Sequence, residues 1–218
     1  MEAGTRMNNP VILADGNFPT HNAPLKILAA ADPLVCCDGA ADALAQAGLM
    51  PNVVIGDLDS ISPRQRERFQ AVLIEDRDQE TNDLTKAVNW CRRQGIKAVT
   101  ILGATGKRED HTLANIALLA RYNRDIRAAM VTDHGTFSIA RAACEFRSVP
   151  GQQISIFSLT PDTAITSTGL KYPLSGMKLA ELWQGSLNEA TGNTFTLTFN
   201  AGTIVVYRLH PATDVNLG

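Results

Sequence analysis

Through the first two-thirds of this chain, short apolar runs alternate with segments of helical spacing, and this alternation restricts the possible folds more than any other feature. Val11-Ile12-Leu13-Ala14, Leu34-Val35-Cys36-Cys37, Val53-Val54-Ile55, Ala71-Val72-Leu73-Ile74 and Ala98 to Leu102 read as strands. Between them the pattern predicts helices from Pro24 to about Ala31, after Asp38-Gly39 as far as Gly48, from Pro63 to Gln70, from Asn82 to Gly95, and from His111 to about Arg121. In the segment after Asn82, Leu84, Ala87, Val88 and Cys91 recur on one helix face, with Thr81 as the expected N-cap. Apolar strands joined by helices call for a parallel sheet covered on both faces. The predicted fold class is α/β over residues 10–144: a mostly parallel sheet flanked by helices, in a Rossmann-like three-layer arrangement.

After about Arg141 the pattern changes. Gln153 to Leu159 and Thr194 to Phe199 alternate apolar and polar residues, which marks antiparallel strands with one wet face. Asn200-Ala201-Gly202 reads as a hairpin turn into Thr203 to Tyr207, and a short turn is expected near Lys178 to Glu181. Residues 145–218 are therefore expected to form a smaller all-β sandwich domain.

Composition narrows the functional classes. Hydrophobic residues make up 44% and charged residues 19%, enough for a packed core. A net charge of −2 with no basic run argues against a nucleic-acid partner. No apolar stretch approaches the roughly 20 residues that span a bilayer. Four cysteines without a CxxC spacing, two of them adjacent at Cys36 and Cys37, read as reduced core thiols and favour the cytoplasm. Met1 to Arg6 lacks the apolar segment of a signal peptide, and Met7 is an alternative start.

Ligands of open parallel sheets bind beyond the carboxyl ends of the strands, and here those loops are rich in Asp and Gly. Gly56-Asp57-Leu58-Asp59-Ser60 puts two carboxylates, one residue apart, at a strand end. Such a pair suits Mg²⁺, which takes a few carboxylates together with substrate phosphates; either Asp alone reads first as a turn former or helix cap. Asp76 to Asp83 sets four acidic residues between a strand and a helix, and Asp83 is placed to complete the metal site or to favour the helix dipole. Lys86 either reaches a phosphate or pairs with Asp83.

Gly103-Ala104-Thr105-Gly106-Lys107-Arg108-Glu109-Asp110-His111 joins a strand, a glycine turn, a basic pair and a helix start. Its backbone N–H groups and the Arg108 fork suit phosphate oxygens, although no Walker A pattern is present. Taken alone, Asp110 reads first as an N-cap, and His111 with Asn115 reads equally as a hydrogen-bonding pair on one helix face. Asp15-Gly16-Asn17 and Asp38-Gly39-Ala40 are strand-end turns that either line the same crevice or only turn the chain.

Taken in this order, the loops resemble thiamine pyrophosphokinases. That family's pattern is a DGA turn, a GDxDS loop, a D-Q…T-D…K stretch, a G-x-x-G-x-R-x-D-H loop and a carboxy-terminal GLK followed by a Ser/Asn element. The corresponding residues here are Asp38-Gly39-Ala40, Gly56 to Ser60, Asp78-Gln79 with Thr81, Asp83 and Lys86, Gly103 to His111, and Gly169-Leu170-Lys171. The resemblance implies transfer of the pyrophosphoryl group of ATP to the hydroxyethyl of thiamine, with Mg²⁺, in a homodimer that binds thiamine between subunits. It implies Asp57, Asp59 and Asp83 as catalytic and metal residues. It also implies Asp38, Gly39, Gly103, Gly106, Arg108, Asp110 and His111 at the nucleotide, and Asp78, Gln79, Thr81, Ser186 and Asn188 on the substrate side; Trp183, close by, either stacks on a thiamine ring or takes the commoner role of a core or interface residue. Two departures stand out: Lys107 replaces a common glycine, and Leu187-Asn188 replaces a Ser-Asn pair. A pterin alcohol as acceptor, or a nucleotide-binding module without turnover, are the alternative readings.

Overall fold

In the computed structural model, which describes residues 9–211, the apolar runs become strands, although the fourth starts two residues later than expected because Ala71 and Val72 lie in a 3₁₀ turn. They are β1 (Val11–Leu13), β2 (Leu34–Cys37), β3 (Val53–Gly56), β4 (Leu73–Glu75), β5 (Ala98–Leu102) and a further strand, β6 (Arg127–Val131). Helices α1 (Asn22–Ala29), α2 (Ala41–Gln46), α3 (Pro63–Arg68), α4 (Asp83–Arg93) and α5 (Glu109–Tyr122) alternate with them. The alternative start at Met7 lies outside the described residues.

All six strands run parallel, in the order β6-β5-β1-β2-β3-β4. Successive strand residues point to opposite faces. Val11, Leu13, Leu34, Cys36 and Val54 join one core cluster with Leu28 of α1 and Ala41 and Leu44 of α2. The buried alternates Ile12, Val35 and Ile55 are absent from that cluster. They face the other side, where α4 packs on β1 to β3 through Leu84, Ala87, Val88 and Cys91. That face of α4 is the one its spacing predicted.

The helix starts differ from expectation in detail. Asn82, not Thr81, caps α4: its side chain accepts from the N–H of Thr85 at 2.9 Å. Thr81 instead donates its hydroxyl to Asp78 Oδ2 at 2.8 Å. Helix α5 begins at Glu109, with Arg108 at the cap position and Asp110 inside the first turn.

The chain divides into two compact units between Asp133 and His134. This is earlier than the change of pattern in the sequence, because β7 (Gly135–Ala140) pairs along its whole length with β14 (Ile204–Leu209). The other strands of the second unit are β8 (Cys144–Arg147), β9 (Gln153–Ser158), β10 (Ala164–Thr168), β11 (Met177–Lys178), β12 (Asn188–Glu189) and β13 (Thr194–Thr198). Strands β12-β9-β14-β7 and β11-β10-β13-β8 form two antiparallel arrays. Inward residues of both, including Ile154, Ile156 and Val206 from one and Ile165, Phe195 and Leu197 from the other, share one core.

Here the expected hairpin is corrected. β13 pairs with β8 and β10, while β14 pairs with β7 and β9, so Asn200-Ala201-Gly202 carries the chain from one array to the other. Local turn chemistry cannot distinguish these outcomes, since both need a reversal. The short turn forms as a 3₁₀ segment at Leu182–Gly185, just beyond its expected place, and Glu181 and Gln184 close it with reciprocal side-chain bonds. No helix among the described residues is long and apolar enough to cross a membrane.

Phe195 is 1% exposed and stacks on Phe146 with ring centroids 5.1 Å apart. Phe195→Ala is expected to lower the unfolding free energy by about 3–5 kcal/mol in urea titrations, by removing buried area and leaving a cavity. A loss below about 1 kcal/mol would show that this core is not packed as described.

Candidate active site

Because the six strands of the first unit are parallel, the loops that follow them all emerge at one sheet edge. The chain steps outward from β1 through β2, β3 and β4, then returns to place β5 on the other side of β1. The loops after β1 and β5 therefore diverge at a topological switch point, where such sheets open a crevice. A cavity of about 310 Å³ lies there, lined by Asp15, Gly16, Cys37, Asn82, Asp83, Gly106, Lys107, Arg108, His111 and Asn115 among others.

Three carboxylates meet beside it. Oxygens of Asp38, Asp57 and Asp59 all lie within 4.8 Å of one another. Asp38 is 1% exposed; its Oδ1 accepts from Gly39 N and its Oδ2 from Leu58 N, both at 2.8 Å. Leu58 has a left-handed backbone with φ 64°, a conformation that costs a side-chain-bearing residue about 1–2 kcal/mol. The Leu58 carbonyl accepts from Arg66 at 3.3 Å, so both ends of this residue are held. That turn sets Asp57 and Asp59 side by side, and Asp57 Oδ1 accepts the Asp59 N–H at 3.2 Å. Gly56 is required by close approach: a Cβ there would overlap the Asp38 carboxylate.

The electrostatics follow from burial and neighbours. Burial, then the negative charge of Asp83, pushes Asp38 up to about 6, although the Gly39 and Leu58 N–H groups pull the other way. Hydrogen bonding from Asp59, then from Gln79, holds Asp57 below the usual carboxylate range. Asp83 is not one of these three carboxylates, and it bonds Lys86 Nζ at 2.9 Å, the pairing that its helical spacing allowed. Lys86 is almost fully buried. Burial disfavours its charge, but the Asp83 bond and the Asp57 and Asp76 charges outweigh this and raise its pKa.

The loop after β4 is exposed and held by its own side chains. Asp78 accepts from Glu80 N and Thr81 Oγ1, and Gln79 reaches Asp57 Oδ2 at 3.4 Å. In the loop after β5, Gly103 has φ 63° and sits so close to the Ala14 carbonyl that no Cβ fits. Gly106 donates its N–H to Thr112 Oγ1 at 3.1 Å. Asn115 donates to the Ala104 carbonyl at 2.9 Å rather than to His111. Arg108 grips Asp110 through Nε at 3.1 Å and Nη2 at 2.5 Å, and this pair holds Asp110 down at about 2.

The residues from the second unit sit differently. Trp183 is 73% exposed, and its carbonyl accepts from Ser186 Oγ. Asn188 is buried and bonds both the N–H and the carbonyl of Tyr172. Leu187 is exposed with φ 59°. Lys171 pairs with Glu189 at 3.2 Å.

Asp38, expected at the nucleotide, belongs to the carboxylate cluster. Its membership follows from β2 pairing with β3 in register, Cys37 opposite Ile55, which brings the two strand-end loops together. A strand-end Asp followed by Gly was the available signal, and adjacency of the two strands was the missing fact.

Asp38 holds its proton more tightly in the folded protein than an unfolded carboxyl does, so ionising it costs folding energy. With divalent metals chelated, the wild-type protein is expected to lose stability relative to Asp38→Asn as pH rises from about 4 to about 6, by on the order of 2–3 kcal/mol. Urea unfolding of both proteins across that range measures it, and a constant difference would contradict the assignment.

Residues 25–130 match a model of the thiamin pyrophosphokinase catalytic domain, and residues 135–207 match the thiamin pyrophosphokinase substrate-binding domain. Thiamine pyrophosphokinase of Bacillus subtilis is 28% identical over 183 residues, covering 76% of this chain and 81% of that protein. Thiamine pyrophosphokinase 1 of rice (Oryza sativa subsp. japonica) is 28% identical over 146 residues, covering 60% of this chain and only 55% of the rice protein. The crystal structure of a thiamin pyrophosphokinase family protein from Enterococcus faecalis superposes with a TM-score of 0.79 at 24% identity, covering 93% of this chain and 99% of that one, a likeness of fold. With both domain models matched in order along a fold of this shape, the chain belongs to the thiamin pyrophosphokinase family.

Proposed function

We propose that this protein transfers the pyrophosphoryl group of ATP to the hydroxyethyl oxygen of thiamine, giving thiamine diphosphate and AMP. The observation that carries this reading is the Asp38, Asp57 and Asp59 cluster beside a crevice bordered by a glycine-rich, basic loop. The match to a thiamin pyrophosphokinase substrate-binding domain favours thiamine over a pterin alcohol as acceptor. In this reading the first unit is a Rossmann-like three-layer domain and the second a β-sandwich.

Three carboxylates with hard oxygen donors at this spacing fit a divalent cation, and Asp38, Asp57 and Asp59 would hold Mg²⁺. When bound, Mg²⁺ supplies charge neutralisation to the phosphate oxygens. Gly103 and Gly106 let the backbone of the loop after β5 approach the phosphates, with the start of α5 beside them. His111 and Asn115 line the same crevice. Arg108 offers a planar fork for phosphate oxygens once it exchanges Asp110. Attack by the thiamine hydroxyl on the β-phosphorus breaks its bond to the oxygen retained by AMP. Asp59 or Asp83 takes up the hydroxyl proton, and Asp78, Gln79 and Thr81 border the reacting groups. Alignment and charge compensation carry most of such a reaction.

Thiamine recognition is assigned to Trp183, Ser186 and Asn188, with the exposed indole of Trp183 stacking on a ring of the ligand. Exposed Leu182, Trp183 and Leu187 in the second unit and Leu113 in the first support a homodimer in which thiamine sits between subunits. Four free thiols support a reducing, cytoplasmic location.

The decisive measurement is thiamine-dependent AMP formation from ATP, with and without EDTA. Asp57→Asn and Asp59→Asn are each expected to lower turnover by at least about 100-fold while circular dichroism and the unfolding midpoint stay close to wild type. Near-normal turnover in either variant would remove the carboxylate cluster from the mechanism.

A further inference from the structure

Lys107 occupies a position that its backbone disfavours. Its φ is +54°, directly after Gly106 at +79°, so a lysine stands where glycine would sit without strain. Strained residues of this kind persist where the surroundings hold them in place, and they concentrate at functional sites. The Lys107 side chain reaches across the switch point, from the loop after β5 to the loop after β1, and its Nζ lies 2.6 Å from Asp15 Oδ1. Both residues line the crevice.

The pairing of this ammonium combines exposure with a single bond, as neither neighbouring cation does. Lys86 is buried against Asp83, and Arg108 is gripped by two bonds from Asp110. The Lys107–Asp15 pair has a single bond, and its side chains are 53% and 49% exposed. A half-exposed single-bonded pair is weakly held and exchanges readily for a stronger anion. The crevice lining also carries Asp15 and Asp83, whose charges oppose an incoming polyphosphate.

We propose that Lys107 is a phosphate-binding residue of this crevice, parked on Asp15 until the phosphates of a nucleotide displace that carboxylate. This rests on the crevice being the nucleotide site. Asp15 then acts as a competitor that sets nucleotide affinity, and the backbone strain at Lys107 is tolerated for the sake of its charge. A purely structural clamp between the two loops makes the opposite prediction for Asp15, because losing either partner of a clamp would loosen the site equally.

The test is calorimetric titration of the full chain with α,β-methylene-ATP and Mg²⁺, alongside the thermal midpoint of each variant. Lys107→Gly, which also relieves the strain, is expected to weaken binding about tenfold without lowering the thermal midpoint, and Lys107→Arg to retain most of the affinity. Asp15→Asn is expected to tighten binding about threefold. Wild-type affinity in Lys107→Gly, or weakening by Asp15→Asn to match it, would overturn the proposal, as would a wild-type chain that does not bind the analogue. A wild-type chain that binds the analogue with this variant pattern, yet forms no AMP from ATP and thiamine, would refute the pyrophosphokinase reading and leave the role of Lys107 supported.

Discussion

The carboxylate of Asp38 is buried, and both of its oxygens accept backbone N–H groups, one from the start of its own loop and one from the loop after the neighbouring strand. Much of the site depends on this arrangement. It ties the ends of β2 and β3 together, requires glycine at position 56, and holds Leu58 in a left-handed turn that sets Asp57 beside Asp59. Arg66 holds the same turn from the carbonyl side. The result is an assembled set of acidic oxygens whose mutual repulsion is opposed by backbone dipoles, by Lys86 and, in the proposed function, by a cation. Clustered charge of this kind disfavours the folded protein, and in the proposed function a bound cation offsets that cost.

The facing wall is built on a different principle. There the glycines permit close backbone approach, and the side chains of the basic pair are held by carboxylates within the crevice region. One wall concentrates negative charge, and the other carries positive charge paired with nearby carboxylates. In the proposed function a nucleotide with its metal uses both, and the reversal in strand order between β1 and β5 is what separates the loops into a crevice.

Reading from sequence succeeded where local pattern and tertiary environment agree. The five expected strands of the first unit and the apolar face of α4 were legible because buried parallel strands and amphipathic helices impose short periodicities on the chain. Local pattern carries less information where the partner is distant. The Asn200-Ala201-Gly202 turn looks like a hairpin, but β13 and β14 each find better partners elsewhere, and the pairing of β7 with β14 spans most of the second unit. Thr81 and Asn82 are both capable caps, and the choice between them depended on which side chain Asp78 engaged.

By itself the sequence determined the alternation of strands and helices, the acidic and glycine-rich character of the loops at one sheet edge, and an order of motifs that resembles one family. Those properties are carried by neighbouring residues and by periodicity, so they survive without coordinates. Only the tertiary structure decided which carboxylates meet: Asp38 joins Asp57 and Asp59 because β2 and β3 are adjacent, while Asp83 turns to Lys86. It also decided that Lys107 reaches Asp15 across the crevice, a contact set by β5 returning to the side of β1 after three intervening strands. Such contacts depend on the order of strands in space, and no local stretch of sequence encodes that order.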